Sequence, residues 1–81
     1  REAPMTVSAT ADACYRAFCR SSVGYRLSFG GESTVFEGRP EVLQGYPAEG
    51  PRCLLTGQSF TLSISDSSSA VRCVILDAPS P

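Results

Sequence analysis

From Tyr25 onward the apolar residues fall largely on alternate positions, the period of a strand with one buried face. Tyr25, Leu27 and Phe29 share one side and Arg26 and Ser28 the other, and Gly30-Gly31 supplies the positive φ values of a tight hairpin turn into a second strand over residues 33–37. A further short run covers residues 41–46. The stretch from Gly45 to Pro51 holds two glycines and two prolines and reads as an ordered surface loop. Residues 53–56 then lead through Gly57-Gln58 into residues 60–65, with Phe60, Leu62 and Ile64 inward and Thr and Ser outward. Residues 66–69 form the next turn. Val71, Cys73, Val74, Ile75 and Leu76 are nearly continuous, the pattern of a central or doubly covered strand.

The N-terminal part is ambiguous. Ala11, Cys14, Tyr15, Phe18 and Cys19 recur at the spacing of a helical face, with Thr10 as an N-cap and Asp12 in the first turn. Cys, Tyr and Phe are mediocre helix formers, and a ten-residue helix is marginal without packing. A short helix and a distorted first strand therefore stand equal for residues 10–20. Residues 1–8 and 78–81, which carry Pro4, Pro79 and Pro81, are expected to be frayed tails of a single domain over residues 1–81.

Five to six short strands at spacings of about 8 to 12 residues predict an all-β protein, a small antiparallel β-sandwich or barrel. Its expected core is Tyr25, Leu27, Phe29, Val35, Val42, Leu54, Phe60, Leu62, Ile64, Val71, Ile75 and the cysteines. A chain of 81 residues buries too little surface to be stable by its core alone, so a staple is needed.

The four cysteines, Cys14, Cys19, Cys53 and Cys73, answer that need. Zinc prefers closely spaced ligand pairs, and here one pair is five apart, the other two cysteines stand alone and there is no histidine. A catalytic thiol lacks a base for the same reason, since lysine is absent too. Two disulfides in an oxidising, extracellular setting remain, and long-range pairings constrain the unfolded chain most. Cys14–Cys53 with Cys19–Cys73, and the crossed alternative, both satisfy that condition. The fold class is thus a disulfide-stabilised antiparallel β-sandwich.

Seven arginines against eight carboxylates give a formal charge of −1. The basic residues are spread along the chain, Arg16, Arg20 and Arg26 being the nearest to a cluster, so nucleic acid is not the expected partner. No apolar run reaches the roughly 18 to 20 residues that cross a bilayer, so a soluble, secreted monomer without membrane partner is expected, any export signal having been removed. Carboxylate pairs such as Glu32 with Glu37, or Glu37 with Glu41, read as solvated hairpin residues rather than a glycosidase pair. Neither an enzyme nor a cofactor is expected. Arg26, Arg39 and Tyr46 are the candidate partner-binding residues, because Arg and Tyr supply much of the energy of protein interfaces.

The block Gln58-Ser59-Phe60-Thr61-Leu62-Ser63-Ile64, a polar turn, and Val71-Arg72-Cys73-Val74-Ile75-Leu76 resembles the strand-turn-Cys-strand end of the MAX-type, avirulence/ToxB-like, fungal effectors. The resemblance covers about twenty residues. It implies a secreted six-stranded sandwich, a bond from Cys19 to Cys73 with Cys14–Cys53 as an extra one, and a plant-pathogen virulence protein that binds a host protein or immune receptor, translocated into host cells, through exposed strand edges. The alternative expectations are a secreted inhibitor of a hydrolase, since four cysteines in an all-β chain also resemble the microbial α-amylase inhibitors, and a catalytically inactive ribonuclease-like effector, which Gly24-Tyr25-Arg26-Leu27, Gly45-Tyr46-Pro47 and Val71-Arg72 resemble.

Overall fold

The computed structural model describes residues 5–65 and 70–80. Over them the chain forms eight strands and no helix: β1 (Met5–Ser8), β2 (Ala13–Arg20), β3 (Tyr25–Phe29), β4 (Val35–Gly38), β5 (Gln44–Tyr46), β6 (Arg52–Leu54), β7 (Ser59–Ser65) and β8 (Arg72–Ala78). Two four-stranded antiparallel sheets result. The first has the order β1-β7-β3-β4. The second is built around β2, whose one edge carries β8 along its length while the other carries β6 against Ala13–Tyr15 and β5 against Ala17–Cys19.

The alternation read from the sequence sets the core. Tyr25, Leu27 and Phe29 of β3 and Leu62 and Ile64 of β7 are buried and meet Ala17 and Cys19 of β2 and Tyr46 of β5. Register makes the pairing: Leu27 lies opposite Ile64, and Phe29 opposite Leu62. Each fully buried side chain of this kind is worth about 1.5–3 kcal/mol. Tyr25 and Tyr46 carry hydroxyls into this interior and satisfy each other at 3.0 Å, with rings edge to face. Desolvation, and then that hydrogen bond, push the Tyr25 phenol well above its ordinary pKa.

Several expectations change. Residues 10–20 are strand, not helix. Odd positions Tyr15, Ala17 and Cys19 face the core, while of the even positions on the other face Cys14 is buried and Arg16 and Phe18 are partly covered, so both faces look apolar and imitate a helical period. Residues 5–8 are not a frayed tail but β1, paired with β7 from Met5–Leu62 to Ser8–Ser59; residues 1–4 and 81 lie outside the described residues, as does the expected turn over residues 66–69.

The hairpin exists with a longer connection than two residues. Its last registered pair is Ser28–Val35, and the turn Phe29–Glu32 is closed by the Glu32 amide donating to the Phe29 carbonyl, with Gly31 at φ 82°. That is the third position of a type II turn, where only a positive φ fits. The register puts Phe36 and Gly38 inward and leaves Val35 exposed rather than in the core. Val42 is also exposed, because β5 begins only at Gln44. The Tyr46–Pro47 peptide is cis.

The apolar run in β8 is not central. Among the described residues β8 pairs with β2 alone, its inward Cys73 and Ile75 pack against the core, and Val74 and Leu76 point outward, 55% and 52% exposed.

Candidate interaction surface

Both disulfides join directly opposed residues of neighbouring strands: Cys14 with Cys53 across β2–β6, and Cys19 with Cys73 across β2–β8. All four thiols are thereby consumed, leaving no cysteine to ligate a metal or act as nucleophile. Positions five apart on a strand point to opposite faces. Cys19–Cys73 therefore staples the inner face of the second sheet and Cys14–Cys53 the outer one.

The Cys19–Cys73 register fixes what the outer face carries. Arg20 stands directly opposite Arg72, Phe18 opposite Val74, and Arg16 opposite Leu76, and opposed residues project to the same side. The result is an apolar stripe of Phe18, Val74 and Leu76 bordered by three arginines. Like charges directly opposed across a pair of strands destabilise it. Among the described residues, the one carboxylate that reaches the cation pair at Arg20 and Arg72 is Glu41, which accepts from Arg20 Nη2 at 3.4 Å with both side chains more than 60% exposed. Such an exposed pair is worth little.

Arg16 is fixed in place. Its Nη2 donates to the Pro47 carbonyl at 3.0 Å, its guanidinium lies 5.9 Å from the centre of the Phe18 ring, and its Nε is buried without a partner among the described residues. Phe18 in turn lies over Gly45, its registered neighbour on β5; a Cβ there would come within 2.9 Å of the ring. The glycine thus makes the shelf on which the ring lies flat. One edge of this surface is open, since β8 has no strand on its far side among the described residues.

The sequence-predicted contact residues do not assemble there. Arg26 is exposed on the first sheet opposite Glu37, and Arg39 is exposed just beyond β4. Tyr46, 1% exposed, is a core residue rather than a surface contact, because β5 turns its ring inward against Tyr25 and Phe36. Glu32 is held by Arg52, which donates from Nε at 2.7 Å and from Nη2 to the same carboxylate, and this keeps Glu32 below the usual carboxylate range. Arg52 also reaches Glu49 and stacks over Phe29 at 5.4 Å, so these charges close the rim of the core.

Phe18, Arg72, Val74 and Leu76 are not among the contact residues that the sequence singled out. The available signal was parity: once Cys19 is bonded to Cys73 across two strands, Arg20 must face Arg72.

A concavity of about 520 Å³, open to solvent, lies beside the outer disulfide between Ala13, Leu54 and Ala78, with Asp12 and Asp77 in its lining. Asp12 is held below the usual carboxylate range by the Thr56 amide and then the Thr56 hydroxyl, at 2.8 and 3.0 Å. Those bonds tie the β6–β7 turn to the entrance of β2. Compared with family models, curated proteins and solved structures, the chain matches none.

Proposed function

We propose that this chain is a secreted, non-enzymatic binding protein that engages an acidic surface of a partner protein through the outer face of its second sheet. The observation that carries the reading is the opposed pair Arg20 and Arg72 beside the exposed Val74 and Leu76. An arrangement that costs the isolated chain stability is relieved when carboxylates approach, and the adjoining apolar stripe gives the contact area to bury. Two disulfides support an oxidising compartment. The absence of histidine and lysine supports binding over acid–base or covalent catalysis. Within this reading, the resemblance of residues 58–76 to fungal effectors makes the partner a plant protein, an immune receptor among the candidates.

The test uses the oxidised chain as bait against plant extracts treated with nuclease, alongside the double variant Arg20→Glu, Arg72→Glu. A defined protein retained by the native chain, released by salt and absent from the variant supports the proposal. Equal retention by the variant, or capture that disappears with nuclease, overturns it. Genotype-dependent cell death on expression in leaves tests the effector part separately.

A further inference from the structure

We infer that Cys14–Cys53 is an exchangeable bond. Low-molecular-weight thiols, cationic ones ahead of anionic ones, open it in the folded chain through the concavity beside it, while Cys19–Cys73 stays closed.

The two bonds differ in access. Cys19 is fully buried within the core cluster and Cys73 packs against it, so a thiol reaches that bond only after the core has opened. Cys14 is buried but Cys53 is exposed, and both line the concavity of about 520 Å³ that is open to solvent. Exchange proceeds by attack of a thiolate on a disulfide sulfur. Here the incoming sulfur bonds to Cys53, and the Cys14 sulfur leaves with the electron pair and takes up a proton from water. A second molecule of the thiol then attacks the sulfur that the first one attached. Cys53 is released as a thiol, and the small disulfide carries away the oxidation.

The core is built without β6. That strand is three residues long, pairs with β2 over Ala13–Tyr15, and contributes no residue to the core cluster. Its flanks are held by Arg52 on Glu32 and by the Thr56 amide on Asp12. Opening the bond therefore loosens β6 and frees the adjoining edge of β2, and the pairing of β2 with β5 and β8 is left in place. A reducing environment thus changes one edge of the second sheet and spares the interior.

Charge selects among thiols. Asp12 and Asp77 line the concavity, and no arginine does. Thr56 fixes the Asp12 carboxylate, and neither aspartate has an ion-pair partner among the described residues. An approaching thiolate is an anion, and these carboxylates repel it; an ammonium group on the same molecule offsets the repulsion. The exchange does not depend on the binding role proposed above.

The experiment is timed reduction of the oxidised chain by cysteamine or by glutathione, at matched thiolate concentration and low salt, followed by acid quenching, alkylation and mass mapping. The first product expected is alkylated at Cys14 and Cys53, with Cys19–Cys73 intact and a native circular dichroism spectrum. Cysteamine should form it about threefold faster than glutathione. Asp12→Asn combined with Asp77→Asn, which leaves an oxygen for Thr56 to donate to, should erase that difference. Opening of Cys19–Cys73 first, or of both bonds together, overturns the inference. So does a first product that has lost the native spectrum, an equal rate for the two thiols on the native chain, or a preference that the double variant retains.

Discussion

Gly38 is the position at which a single added carbon should do most damage. It lies opposite Tyr25 in the β3–β4 pair, and the Tyr25 ring occupies the space its missing side chain leaves. A Cβ built on Gly38 lands within the ring itself. The ring cannot yield outward, because its hydroxyl is engaged with Tyr46 and its edge meets the Tyr46 ring at 6.3 Å. Gly38→Ala therefore displaces Tyr25. Overpacking of a filled core costs about 1–3 kcal/mol, and losing the Tyr25–Tyr46 hydrogen bond with both hydroxyls buried adds about 1–2 kcal/mol. A total of about 3 kcal/mol corresponds to a fall in melting temperature of about 12–24 °C for a domain this size. Thermal unfolding by circular dichroism measures it. Gly45→Ala is the control, since the nearest atoms a Cβ meets there belong to the Phe18 ring of the outer face, which can lift into solvent. A Gly38→Ala protein melting within a few degrees of the native chain, or one less affected than Gly45→Ala, would refute the argument.

The raised pKa of Tyr25 gives a pH dependence with a definite sign. The stability it carries is fully present below the ordinary phenol value of about 10 and is lost as pH rises toward the higher folded value. The melting temperature should thus fall above about pH 10, and fall less steeply in Tyr25→Phe; identical alkaline limbs would count against the buried hydroxyl pair. The two disulfides close sequence separations of 39 and 54, worth about 4 kcal/mol each in the chain-entropy model, so loop length hardly distinguishes them. Burial does. Cys19 is fully buried and Cys53 exposed, so replacing Cys19 and Cys73 by alanine should lower the melting temperature more than replacing Cys14 and Cys53, and full reduction should lower it by well over 10 °C.

What the sequence disclosed was what a period of two can carry. β3 and β7 were legible because each buries one face and leaves Ser, Thr or Arg on the other. β2 and β8 were not, for a shared reason: both carry apolar residues on both faces, which reads as a helix in one case and a covered strand in the other. The structure resolves this as a sheet whose outer side has its own apolar stripe, a feature single-sequence patterning cannot separate from a core. Val35 and Phe36 are adjacent apolar residues, and only the length of the preceding turn decides which faces inward. Tyr46 was misplaced because its Gly and Pro neighbours suggested a surface loop, while tertiary pairing with β2 turned the ring inside.

β2 precedes in the sequence all three strands that pair with it, and the longest of them, β8, follows the other two. While the polypeptide is being extruded, both sulfurs of β2 wait unbonded until Cys53 arrives, and its distance along the chain to either is similar: 39 residues to Cys14 and, from 53 − 19, 34 to Cys19. Proximity alone would favour the wrong choice slightly. The correct one is enforced by β5, which already occupies the half of the edge beside Cys19, and by the opposite orientation of that sulfur. An oxidant acting before these three segments align would trap a mispaired isomer, so productive oxidation of this chain depends on an environment able to reshuffle its first bond.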